Sequence, residues 1–324
     1  MTISESLKLA SSQLKTGHIN NPHLEAEILL SAVLKKPREF ILAHGEVLLS
    51  KKQITKYQRL LKRRLKGEPI AYLIKHKEFY GLDFIVNKNV LIPRPETELL
   101  VEETLKLITR SSSTSASRRP ASTRRKRGER DGQPATLIDV GTGSGCIIIT
   151  LAKLLGQELR IMNHELWGID ISAKALAAAK QNAKIHGVGK KIKFLKGNLL
   201  KPIIDNSKFV ISNSKFVILA NLPYGWPAWK NNYSLNTIGL KFEPKIALFT
   251  NKQGLGLYEK LFRQIKGLRA ASCKLRDIRV LCEFDPRQTT AIKRLIQREL
   301  PEACLQIKKD LAGLNRLAII TLSC

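Results

Sequence analysis

Residues 135–145 read ATLIDVGTGSG, and this stretch decides the fold. Its first six residues are an apolar run of strand length. Three glycines at alternate positions, Gly141, Gly143 and Gly145, separate that run from a helical segment, CIIITLAKLL. Glycine tolerates positive φ and lets the backbone approach a ligand closely, and a helix starting there offers unpaired amide groups. The loop is therefore expected to bind something, with Thr142 and Ser144 between the glycines. The spacing is GxGxG, whereas dinucleotide binders carry GxGxxG, and Asp139, two residues before the first glycine, is foreign to that fingerprint too.

Downstream the pattern keeps alternating. LWGID, KIKFLKG, KFVILA and IRVLCEF are short apolar runs, with SAKALAAAKQNAKIH, GLYEKLFRQI and DPRQTTAIKRLIQREL helical between them. Such alternation specifies a parallel sheet covered by helices, and ligands of open α/β sheets bind at the carboxyl ends of the strands. Chemistry-bearing residues recur at those ends. Asp170 closes the second strand, where a carboxylate can accept both hydroxyls of a ribose. Asn198 and Leu199 follow the third and are placed to border an adenine. ANLPYGWP, residues 220–227, follows the fourth. Asp139 suits a cationic ligand, such as the aminosulfonium of S-adenosylmethionine. Just before the fourth strand end, residues 206–219 read NSKFVISNSKFVIL, a near-perfect tandem heptapeptide of which only the second copy is contiguous with Asn221. The last two segments, LQIKKDL and RLAIITLS, are expected to pair as a hairpin.

Upstream, the first 70 residues read as helices, with Asn21 a candidate N-cap before Pro22 and a strongly basic segment, KKQITKYQRLLKRRLKG, ending at Gly67. Residues 76–95 change to short β-like runs and suggest a hairpin, after which PRPETELLVEETLKLI begins a further helix. The division expected is thus 1–75, 76–95 and 96–324. Residues 110–134 carry eight cations against two acids and almost no apolar side chain, so a basic, disordered loop is expected there.

The net charge of +29 exceeds what that segment contributes, so basicity belongs to the whole chain and permits weak contact with nucleic acid or the ribosome. Five cysteines without a CxxC pair and six scattered histidines suggest neither a disulfide framework nor a metal site. No run approaches the roughly 20 apolar residues that span a bilayer, and the N-terminal segment reads as an amphipathic helix; a cytoplasmic location is expected.

The chain resembles the peptide chain release factor N(5)-glutamine methyltransferases, the HemK/PrmC family. The likeness is carried by RRLKGEPIAYLI at 63–74, EFYGLDF at 78–84, LIPRPETELLVE at 91–102, LIDVGTGSG at 137–145, NLPY at 221–224, FEPKIAL at 242–248 and KDLAGLNR at 309–316. It implies a small helical substrate-recognition domain, a hairpin linker and a seven-stranded, Rossmann-like class I S-adenosylmethionine-dependent methyltransferase domain. It also implies the substrate: the glutamine amide in the Gly-Gly-Gln motif of release factors. The expected site is Asn221, Leu222, Pro223 and Tyr224 for the substrate amide, with Arg94 and Glu243 bordering it. Asp139, the 141–145 loop, Asp170, Asn198, Leu199 and Asn221 would serve the cofactor. Leu222 departs from the proline most common in the family, but keeps the backbone carbonyl expected to accept from the substrate. A monomer is expected. The rival reading is an N(6)-adenine methyltransferase acting on RNA or DNA, since the same tetrad presents the same acceptors to an exocyclic amine.

Overall fold

The computed structural model describes residues 1–113, 135–158, 164–205, 215–226, 235–271 and 277–323, and the statements below concern those residues. The chain divides into two compact units that are not contiguous in sequence. The smaller comprises Met1–His76 with Val86–Lys88 and 235–243; the larger holds the rest.

In the smaller unit, helices Ile3–Thr16, Pro22–Leu34, Arg38–Ala43, Lys51–Leu65 and Ile70–Ile74 bury one apolar stripe each around Leu14, Leu29, Leu30, Ile41 and Tyr57. Two of these helices start with full capping boxes, Thr2 with Glu5 and Ser50 with Gln53, in which each side chain satisfies the other's backbone amide. Asn21 precedes the Pro22 helix as expected but caps nothing with its side chain, because it adopts a left-handed φ of 55°. The buried Tyr57 hydroxyl donates to the Ala26 carbonyl at 2.9 Å, tying the basic helix to its neighbour.

A hairpin follows, β1 (His76–Phe79) and β2 (Leu82–Ile85), whose turn residues Tyr80 and Gly81 both have positive φ. Positive φ at both central residues is what the type I′ two-residue hairpin turn requires. A single 3-10 turn, Pro95–Thr97, then leads into the helix Glu98–Ser113. That helix takes up the first four residues of the predicted basic loop, because its periodicity runs on through Thr109; residues 114–134 lie outside the described part.

The central sheet has seven strands: β3 (Thr136–Val140), β4 (Glu165–Asp170), β5 (Ile192–Lys196), β6 (Lys215–Ala220), β7 (Asp277–Glu283), β8 (Cys304–Lys309) and β9 (Asn315–Ser323). Their order is β5-β4-β3-β6-β7-β9-β8, parallel from β5 to β7, with β9 antiparallel to both β7 and β8. The terminal pair is thus a hairpin closing one edge. β3 and β6 are buried along their whole length, and successive side chains enter different cores. Ile138, Val140, Ile218 and Ala220 pack with Tyr258 and Phe262 of the helix Gly256–Ala271; Leu137, Val217 and Leu219 pack with the helix Cys146–Lys153. The sheet reverses its winding between β3 and β6. β6 uses the second heptapeptide copy, while the first lies outside the described residues.

Candidate functional site

The carboxyl ends of β3, β4, β5 and β6 open into one cavity of about 1100 Å³, counting the part open to solvent. It is formed wholly within the larger unit, and its wall is mainly apolar. β3 delivers the glycine loop. Gly141, Gly143 and Gly145 all have positive φ, and the amides of Gly141 and Thr142 both donate to the Ile169 carbonyl, at 2.8 and 3.0 Å, folding the loop back over β4. A Cβ on Gly145 would come within 2.7 Å of Ile149 and 3.2 Å of Ala179, so glycine is needed there for packing. A Cβ on Gly143 would meet only the Gly141 carbonyl, at 3.9 Å, leaving that backbone open to a ligand.

Asp170 is held rigidly. One carboxylate oxygen accepts from the Gly143 amide at 3.0 Å and the other from the Ser172 amide at 2.8 Å. Burial pushes its pKa up, and the two amides oppose that. Each oxygen keeps a further lone pair. Beside it lie Asn198 and Leu199, the latter at a φ of 57°; Gln264 holds this turn by accepting from the Leu200 amide at 2.8 Å and donating to the Asn198 carbonyl at 3.4 Å.

β6 delivers the tetrad. The Asn221 side-chain amide donates to the Thr97 hydroxyl at 2.9 Å, and its own oxygen accepts from no described residue. Leu222 is 2% exposed: its side chain enters the core and its amide donates to the Tyr258 hydroxyl at 3.2 Å, while no described hydrogen bond uses its carbonyl. The burial supplies a physical reason for leucine here. Asn221, Leu222, Pro223 and Arg94 all line the cavity together with the glycine loop through Ser144, Asp170, Asn198 and Leu199.

Four expected site residues lie elsewhere. Asp139 is fully buried beneath the loop, accepting from the Thr142 hydroxyl at 2.6 Å, with its second oxygen making no hydrogen bond; burial lifts its pKa to about 7. Gly145 sits behind the wall at the helix start. Tyr224 turns away from the cavity, its hydroxyl donating to Glu283 at 3.2 Å in a buried position that raises its pKa. Glu243 belongs to the smaller unit and is not part of the cavity wall. Asn182 went unnoticed in the sequence. Buried on the helix Ala173–Ile185, it accepts from the Ile85 amide at 2.8 Å and donates to the carbonyls of Ile85 and Ser144 at 3.0 and 2.9 Å, clamping β2 to the glycine loop. An uncharged asparagine in an alanine-rich helix carries no signal for that.

The residues present suit a sulfonium nucleoside. The loop leaves backbone open at Gly143, Asp170 offers immobilised acceptors for hydroxyls, and a mainly apolar wall lies beside both.

Residues 5–74 match the PrmC N-terminal domain and residues 132–253 a methyltransferase domain. The bifunctional methyltransferase of Rickettsia bellii is 34% identical over 99% of this chain and 55% of its own length, so the chain spans about half the length of such relatives. The release factor glutamine methyltransferase of Enterococcus faecalis is 35% identical over 80% of this chain and 78% of its own, and that of Bacillus anthracis 30% identical over 98% of each. Among solved structures, the hMettl16 catalytic domain in complex with the MAT2A 3′UTR hairpin 1 has a TM-score of 0.50 at 12% identity, covering 91% of this chain and 90% of that one. At that identity the likeness is one of fold.

Proposed function

The chain belongs to the release factor glutamine methyltransferase family, and we propose that it transfers a methyl group from S-adenosylmethionine to the side-chain amide nitrogen of the Gly-Gly-Gln glutamine in release factors. The observation that carries this reading is the convergence, in one cavity, of a glycine loop, an immobilised carboxylate and two unengaged acceptors on the strand end after β6. The loop from Gly141 to Ser144 would hold the cofactor, Asp170 would accept its ribose hydroxyls, and Asn198 and Leu199 would border its adenine. Bound there, the cofactor supplies an electrophilic methyl group.

The remaining work falls to this chain. A glutamine amide nitrogen is a weak nucleophile because its lone pair is delocalised into the carbonyl. The Asn221 side-chain oxygen and the Leu222 carbonyl each accept one of its two N–H groups, which holds the nitrogen with its remaining face turned into the cavity. Two fixed acceptors select an NH₂ group and supply several kcal/mol of orientation without a strong base. The mainly apolar wall favours a reaction in which a single positive charge is spread out, and the methylated nitrogen then gives up one of its protons to solvent, so that the product amide is neutral.

The test is methyl transfer to full-length release factor, read by mass spectrometry beside matched RNA and DNA panels. Asn221→Ala is expected to lose at least roughly 100-fold in rate with cofactor affinity and melting temperature near the parent's, since the lost contacts orient substrate. Asn221→Asp keeps an acceptor but adds a charge that favours the cationic ground state, so it too is expected to be slow. Methylated adenine with no product on glutamine would refute the proposal.

A further inference from the structure

β6 ends at Ala220, paired with Cys282, while β7 runs one residue further, to Glu283. Past that last pair the chain leaves the sheet, yet Leu222 stays buried, so its N–H needs an acceptor that the ladder no longer supplies. Tyr258 supplies it. We propose that Tyr258 is a positioning residue that aims the Leu222 carbonyl at the substrate amide, by bridging the ends of β6 and β7 where their ladder stops. The proposal rests on the reading of that carbonyl as a substrate acceptor.

Tyr258 lies on the helix Gly256–Ala271, fully buried, with its ring against Phe262. Its hydroxyl oxygen accepts from the Leu222 amide at 3.2 Å, and its proton goes to the Glu283 backbone carbonyl, with the Ala220 carbonyl also within reach at 3.3 Å. The polarity of this bridge is forced, because an amide N–H can only donate and a carbonyl only accept. Burial holds the phenol's pKa well above its ordinary value, so the proton is retained. Three constraints then set where the Leu222 carbonyl points. The hydroxyl fixes the plane of the peptide before Leu222, the core holds the Leu222 side chain and with it φ, and Pro223 confines ψ to the extended region. The last two are local, whereas the first comes from a helix residue 36 positions away. Downstream the chain is held again. The Tyr224 carbonyl accepts from Gln288 Nε2 at 3.0 Å, and the Gly225 amide donates to the Leu248 carbonyl at 2.8 Å. The carbonyl is thus presented from a segment clamped on both sides. Tyr258 is no part of the cavity wall, so it acts through Leu222.

The experiment compares Tyr258→Phe, Leu222→Pro and the double variant in the full chain, by methyl transfer to release factor. Tyr258→Phe keeps the ring and deletes the bridge; it is expected to lower kcat roughly 10–100-fold with cofactor affinity near the parent's. Proline has no N–H and its ring fixes φ, so in Leu222→Pro the hydroxyl has no amide left to hold. Tyr258→Phe is therefore expected to change kcat less than about twofold in the Leu222→Pro background. A second readout needs no turnover: backbone amide exchange by NMR in chain labelled with ¹⁵N-leucine, the Leu222 resonance identified by its loss in Leu222→Met. In Tyr258→Phe, exchange at Leu222 is expected to quicken at least about 10-fold beyond any change at Leu219 on β6 and Leu281 on β7. Parent kcat in Tyr258→Phe overturns the proposal. So does an equal loss of kcat in both backgrounds, or equal acceleration at all three leucines, either of which would make Tyr258 a packing residue only. If the parent methylates adenine and not glutamine, the proposed function falls while the Tyr258 comparison is read on adenine. If the parent methylates neither, or Leu222→Pro does not fold, the exchange measurement decides.

Discussion

At the scale of single residues, the same side-chain type takes different parts according to what surrounds it. Asp139 and Asp170 end adjacent strands, yet only Asp170 lines the cavity. Asp139 lies beneath it with a pKa lifted to about 7, chiefly by burial. A carboxyl with a raised folded pKa adds its stability below the unfolded value and loses it as pH rises through the folded one. The window here runs from about pH 4 to about pH 7. Asp139→Asn keeps an acceptor for Thr142 and cannot ionise. Relative to the parent it is expected to gain stability as pH rises across that window, by up to about 4 kcal/mol. Urea denaturation at pH 4 and pH 7 checks this, and a pH-independent difference would contradict it. Leu222 offers a second case. Proline there would remove the amide that donates to Tyr258 and some of the side chain packed in the core. Leu222→Pro is expected to cost about 1–2 kcal/mol while leaving cofactor binding unchanged, as calorimetry and thermal melting would report.

Between elements, the cavity depends on bonds that tie the hairpin, the glycine loop and the helix Ala173–Ile185 into one frame. Asn182 makes three of them from a fully buried position, and His186, one turn later, contacts the Asp83 carbonyl through Nε2 at 2.9 Å. Asn182→Ala would strand the Ile85 amide and two carbonyls away from water. It is expected to destabilise the fold by about 2–4 kcal/mol and to weaken cofactor binding with it, because Ser144 belongs to the cavity wall. Denaturant midpoints together with a cofactor titration test the coupling; weaker folding with unchanged affinity would mean that the loop is held by β4 alone. The elements themselves were legible in the sequence. Each strand from β3 to β7 is an apolar run bounded by glycine or polar residues, and the GxGxG loop demanded positive φ where positive φ is found. Less legible were the short helices Arg38–Ala43 and Ile70–Ile74, which span too few residues to display a period and are held by packing in the smaller unit.

For the whole molecule, a net charge of +29 means that folding gathers like charges at close quarters. Compact ion pairing answers part of this: Glu259 faces Lys252, Arg263 and Arg298 at 2.5, 2.6 and 3.2 Å, and Glu299 meets Arg263 at 3.3 Å. Surface pairs of this kind contribute little each, so net repulsion is expected to dominate. Raising sodium chloride from about 0.05 M to about 0.5 M should screen it and raise the melting temperature by a few degrees; a falling midpoint would mean that the ion pairs outweigh the repulsion. No described helix is long and apolar enough to cross a membrane. The sequence by itself determined the alternating α/β sheet, the glycine loop, the strand-end positions of Asp170 and Asn221, and the helical first segment. All of these follow from periodicity and backbone preference acting over a few neighbouring residues. Only the tertiary structure decided that Asp139 and Tyr224 face away from the cavity, that Asn182 clamps the hairpin to the loop, and that Thr97 meets Asn221 across 124 positions of chain. The direction in which a buried polar side chain points is set by whichever distant partner satisfies it, and no local pattern encodes that partner.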